Sequence, residues 1–121
     1  MENLKKLLTC FVFISLMFGY KVFAQDQNDL RAAYYKSYTF EYYKKYAEAI
    51  DAVKSVYDDK SYELNIRLGW LNYIKGSYAE AITYYLKAIE IMPFSIEARL
   101  GFAMPASLMG NWDKVIAQYQ E

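Results

Sequence analysis

The sequence predicts an all-α fold, an α-solenoid of about three helical hairpins stacked in line. Three observations carry that expectation. Tyr46-Ala47-Glu48-Ala49-Ile50 recurs identically as Tyr78-Ala79-Glu80-Ala81-Ile82, a period of 32 residues. Helix starts and stops fall at matching places in each copy. The 121 residues hold only 5 Gly and 2 Pro, too few for a turn-rich all-β chain. A period of this length marks a structural unit that cannot bury its own apolar face and must stack on its neighbours.

The first 24 residues read separately from the rest. Met1 to Lys6 carries Lys5 and Lys6, Leu7 to Gly19 is apolar and uncharged, and Val22-Phe23-Ala24 precedes Gln25. A basic start, an apolar centre and small residues before a cut describe a secretory signal peptide. The apolar run is too short for a spanning helix, which needs roughly 20 such residues. Leu7-Leu8-Thr9-Cys10 is a poor lipoprotein site, because most of the apolar run follows the cysteine. The expected domains are therefore a leader, 1–24, and a repeat domain, 25–121. Membrane contact would come only through an uncleaved leader, and the expected location is the periplasm or cell envelope.

The remaining chain holds 11 basic and 13 acidic residues, no cysteine and no histidine. So balanced a charge gives no reason to expect nucleic acid as a partner. Without His or Cys, most zinc sites, His-based acid–base chemistry and thiol nucleophiles are closed to it. No metal, cofactor or catalytic site is expected. Asp58-Asp59 is a turn pair, favoured there for local hydrogen bonds.

The repeats span about 30–61, 62–95 and 96–121. The second is the clearest. Ser61 can cap a helix, with Glu63 in its first turn where the helix dipole favours a carboxylate. Leu64, Leu68 and Leu71 follow at helical spacing. Lys75-Gly76 ends that helix, since glycine takes the left-handed conformation a helix end needs. Ser77-Tyr78-Ala79-Glu80 reads as a capping box for the next helix. Ala81, Ile82, Tyr85, Ala88 and Ile89 give that helix one apolar face, and Pro93 closes the unit. A third copy starts at Gly110-Asn111-Trp112, 34 residues after Gly76-Ser77-Tyr78. Pro105 falls inside its first helix, where a kink is expected. Six helices follow: Gln27–Tyr43, Ala47–Tyr57, Tyr62–Lys75, Tyr78–Ile91, Ile96–Met109, and one from Asp113 onward.

Leu68-Gly69, Gly76, Tyr78, Ala81, Tyr85, Ala88 and Pro93 together resemble the tetratricopeptide (TPR) pattern, here of the exported bacterial type. The resemblance covers about residues 29 to 121. It has departures: Asn65 and Asn72 stand in the large aromatic slots, Ser37 and Lys44 replace the glycines of the first repeat, and the loop at Asp58-Asp59-Lys60 is two residues short. The third copy breaks off within its second helix, which implies a longer array or an end completed by self-association with another chain.

The resemblance implies a protein-interaction module or scaffold rather than an enzyme. Its concave groove would be lined by the first helix of each hairpin. Those slots fall on Arg31, Tyr34, Tyr38 and Glu41, on Glu63, Ile66, Trp70 and Tyr73, and on Glu97, Leu100, Met104 and Ser107. Their 3, 4, 3 spacing keeps each set on one helical face. A protein or peptide partner in the cell envelope is the expected occupant, since Tyr and Trp are common anchors of interfaces. The same rings could instead pack between hairpins, and the tyrosines from Tyr34 to Tyr46 leave cell-wall glycan as the alternative ligand. The basic residues with which some proteins of this family grip a terminal carboxylate are missing; Glu63 and Glu97 stand in two of their places. Secretion is expected to remove residues 1 to 24, so N-terminal sequencing of the exported chain should begin at Gln25. A lipidated start at Cys10 or an intact Met1 in the membrane fraction would refute this.

Overall fold

The computed structural model describes residues 1–120. It contains six helices among them: α1 (Glu2–Tyr42), α2 (Tyr46–Lys54), α3 (Tyr62–Lys75), α4 (Tyr78–Ile91), α5 (Ile96–Leu108) and α6 (Trp112–Ala117). No strand occurs among the described residues. The chain falls into two compact units, Met1–Ala32 and Ala33–Glu121.

In the first unit the helix starts at Glu2 rather than at Gln27. The segment contains no proline and one glycine, and its Leu, Lys, Met and Phe residues offer nothing that ends a helix. Many of its described apolar side chains, among them Leu7, Leu8, Phe11 and Ile14, are exposed. Among the described residues, no helix is long and apolar enough to cross a membrane.

The second unit is built from antiparallel neighbours in sequence: α2 packs on α3, α3 on α4, α4 on α5, and α5 on α6, with α3 also touching α5. α3 and α5 touch one another as well as α4, and so lie side by side in one layer. Small residues make the close approaches. Ala49, Ala81, Ala88, Ala98 and Ala106 are fully buried, alongside Leu68, Leu71 and Phe102.

Three turns repeat the same geometry. A residue one or two places past the first helix of each hairpin has positive φ: Lys44 at 58°, Gly76 at 89° and Gly110 at 74°. Each turn makes the same two backbone bonds. Gly76 N donates to Tyr73 O (3.0 Å) and Ser77 N to Asn72 O (2.9 Å); Gly110 N donates to Ser107 O (3.0 Å) and Asn111 N to Ala106 O (2.9 Å). In the first hairpin, Lys44 N donates to Glu41 O and Lys45 N to Phe40 O, both at 2.8 Å. These bonds satisfy carbonyls that a helix end leaves open. Lys44 thus adopts the conformation of the glycine it replaces, at a cost of roughly 1 kcal/mol.

The caps divide. Ser61 accepts from Leu64 N (3.3 Å) and Ser95 from Ala98 N (3.1 Å). Ser77 occupies the N-cap of α4, but its side chain makes no capping bond, contrary to the expected capping box. Its ψ of 70° differs from the 115° and 114° of the two serines that cap, so its hydroxyl lacks their extended-backbone geometry. Pro105 does not break α5, which continues through it to Leu108 with the ring buried.

The short loop between the first two hairpins is held by a side chain. α2 ends at Lys54, three residues before the expected Tyr57, as its last turn tightens: Val56 N bonds Val53 O and Tyr57 N bonds Lys54 O, each 3.2 Å. Tyr57 then donates its hydroxyl to Asn65 Oδ1 (2.9 Å), while Asn65 Nδ2 donates to Asp59 O (3.1 Å) and Ser61 O (2.8 Å). Asn65 is fully buried with its amide donors and acceptor engaged. The large aromatic slot is filled by a residue that replaces packing with hydrogen bonds to the shortened loop.

The centre of the unit is the Tyr85 ring, which lies in a core cluster with Ala81, Phe102 and Ala106. It sits where side chains are missing on both neighbouring helices. A Cβ added at Gly69 of α3 would lie 2.9 Å from Tyr85 Cζ, and one added at Gly101 of α5 would lie 2.6 Å from its Cδ1 and Cζ. Burial, with a contribution from Glu97, holds the Tyr85 hydroxyl well above the ordinary tyrosine range. Gly101→Ala is expected to destabilise the fold by about 2–3 kcal/mol and Gly69→Ala by about 1 kcal/mol, because the first clash is deeper. Urea unfolding followed by circular dichroism checks the order; equal stability of Gly101→Ala and the unmodified chain would contradict the wedge.

Candidate functional site

The face in question belongs to the layer formed by α1 from Ala33 onward, α3 and α5. Arg31 lies in the other unit. On α1, Tyr34 is half-buried and Tyr38 exposed. Their rings stack with centroids 6.4 Å apart and planes 24° apart. The Tyr34 hydroxyl is buried without a hydrogen-bond partner among the described residues. Burial raises its pKa, and the charge of Glu63 adds to the rise.

α1 and α3 meet through one polar network. Arg67 lies on the same side of α3 as Leu64 and Leu71 and is buried, so its charge requires partners. It finds three on α1. Arg67 Nη2 pairs with Glu41 Oε2 at 2.6 Å, its Nε donates to the buried Ser37 Oγ at 3.0 Å, and its guanidinium lies 3.9 Å from the centre of the Tyr38 ring. The second oxygen of Glu41 accepts the Trp70 indole N–H at 2.7 Å. One carboxylate therefore holds both the buried cation and the exposed indole. Trp70 continues to Tyr73 (5.8 Å between centroids), and Tyr73 to Tyr78 (6.0 Å).

The structure brings Tyr34, Tyr38, Glu41, Trp70 and Tyr73 into this network. Ile66 and Tyr73 also pack against the Tyr85 cluster, so they serve the core as well as the face. On α5, Leu100 and Met104 are exposed and Ser107 half-buried, with the Ser107 hydroxyl bonded to Met104 O (2.9 Å). Glu63 and Glu97 occupy the exposed first turns of α3 and α5. Glu63 accepts from the Ser61 hydroxyl (3.3 Å), and Glu97 from that of Tyr62 (3.1 Å), which also contacts Ser95 Oγ at 2.6 Å.

Residues 62–95, which are α3, α4 and the loop that closes them, match the family model of the tetratricopeptide repeat. This hairpin is a tetratricopeptide repeat. Comparison with curated proteins finds no match. The tetratricopeptide repeat is characteristically a protein–protein interaction unit without catalytic activity of its own. Its neighbours on either side repeat the positive-φ turn seen at Gly76, in one case with lysine.

Ser37, Arg67 and Tyr62 were not among the expected site residues. Arg67 carried a readable signal: a cation spaced three and four residues from leucines on an apolar face demands an anion from a neighbouring element. Which anion was not readable, because Glu41 lies a full hairpin away. Glu41→Ala is expected to cost about 2–3 kcal/mol, since it strands the buried guanidinium, whereas Glu63→Ala should cost no more than about 0.5 kcal/mol. Chemical denaturation of the two variants measures the contrast, and near-equal losses would show that the pair does not hold α1 to α3.

Proposed function

We propose that this chain is an exported interaction module that holds a protein or peptide partner against the face formed by α1 from Ala33 onward, α3 and α5. The observation that carries the reading is the exposure left on that face. Tyr38 is 57% exposed, Trp70 38%, Leu100 52% and Met104 37%, although all stand on helices whose other sides are packed into the core. Large rings with polar handles supply contact area at low entropy cost. The bond from Trp70 to Glu41 fixes the indole before any partner arrives, which reduces the ordering cost of binding. The interaction-unit character of the matched repeat supports the same assignment. Export, and with it a partner in the cell envelope, is supported by the three-part leader in the sequence.

The test is Trp70→Ala, alone and together with Tyr73→Ala. Trp70→Ala should keep its helical circular dichroism and lose the envelope proteins that the unmodified chain captures. The double variant is expected to lose stability as well, through the contact of Tyr73 with the Tyr85 cluster. Capture of the same proteins by folded Trp70→Ala would refute the assignment of this face.

A further inference from the structure

The charges on the α3 and α5 part of this face are not balanced, although those of the whole chain are. Glu41 and Arg67 cancel one another: Arg67 is held by the carboxylate, Ser37 and the Tyr38 ring, and Glu41 by Arg67 and Trp70. On α3 and α5 two carboxylates remain, Glu63 and Glu97. Both are exposed, and each accepts only a neutral hydroxyl. Among the described residues, neither has a cation within 4.0 Å. They occupy equivalent first-turn positions of two parallel helices, so they line one rim of the face. Trp70, Leu100 and Met104 follow them along the same helices.

Their field is felt by the neighbouring rings. After burial, Glu63 and Glu97 are among the causes that push up the hydroxyls of Tyr34, Tyr62 and Tyr85. A helix dipole accounts for one acid in each first turn. It does not account for both acids standing on the face that also leaves its large apolar groups in water.

We propose that the partner segment is cationic and amphipathic, an apolar stripe that covers Trp70, Leu100 and Met104 with lysine or arginine along the edge facing Glu63 and Glu97. This rests on the interaction face assigned above. The apolar contacts supply most of the affinity, and the two carboxylates set its orientation and select against acidic sequences.

Two synthetic amphipathic helical peptides of one design, leucine with lysine and leucine with glutamate, serve as probes in fluorescence anisotropy titrations with the full chain. The lysine peptide should bind and the glutamate peptide should bind much more weakly. Glu63→Gln with Glu97→Gln should weaken the lysine peptide about tenfold at low ionic strength, and added salt should erase most of that difference. Equal binding of the two peptides, or an unchanged affinity in the double variant, would overturn the cationic partner. Trp70→Ala separates the two levels of the argument. Loss of the lysine peptide by this variant, with helix content intact, supports the face; full retention would overturn the face itself and the cationic partner with it.

Discussion

The second unit depends on a ring held where two helices have no side chain. Tyr85 of α4 lies against Gly69 of α3 and Gly101 of α5, so one residue joins both elements of its own hairpin to the next hairpin. A solenoid has no central core in the usual sense. Each hairpin has to be keyed to its neighbour, and a large rigid ring in a gap lined by glycine is a key with little freedom to repack. The alanines at 81, 98 and 106 act in the same way, bringing helices close enough for the ring to fill the remaining space. Because this wedge sets how α3 and α5 stand side by side, it also sets the layer that carries Trp70, Leu100 and Met104.

The first hairpin is keyed differently. Where the second has Gly69, α1 has Ser37, and its hydroxyl receives the Nε of a buried arginine. Burying an ion pair is costly unless geometry and additional hydrogen bonds are good. Here the cation is met by a carboxylate, a hydroxyl and a ring face, and the carboxylate is completed by an indole. The junction between α1 and α3 is therefore polar and specific in register, whereas the junction between α3 and α5 is mainly steric, with the Tyr62 hydroxyl adding hydrogen bonds to Ser95 and Glu97 at one end. The contrast has a consequence for the exposed face: the polar junction fixes Trp70 on its outer side, whereas Leu100 and Met104 stand on α5 without such a tether.

Departures from the repeat pattern are compensated locally. Lys44 takes a left-handed turn, and the hydrogen bonds of that turn match those made by the glycines at 76 and 110. Asn65 gives up the bulk of an aromatic ring and satisfies a loop that is too short to close by itself. Only the side-chain cap expected at Ser77 has no counterpart, and there the backbone bonds of the preceding glycine turn set the helix start.

The sequence by itself determined the class, the number and order of the hairpins, and most helix ends, because these follow from local signals: apolar period, serine caps, glycine stops and a repeated five-residue string. It also marked Tyr85 as the residue between hairpins and placed Tyr38, Trp70, Leu100 and Met104 on one side of their helices. It did not contain the partners of Arg67, the use of Asn65 as a latch, or the role of Gly101. Each of those depends on which residues of distant segments arrive within a few ångströms of one another, and that is fixed only when the hairpins pack. For the same reason the division of labour on the exposed face was a tertiary decision. Periodicity puts Tyr73 and Trp70 on similar footing, but the Tyr85 cluster half-buries one while Glu41 holds the other at the surface.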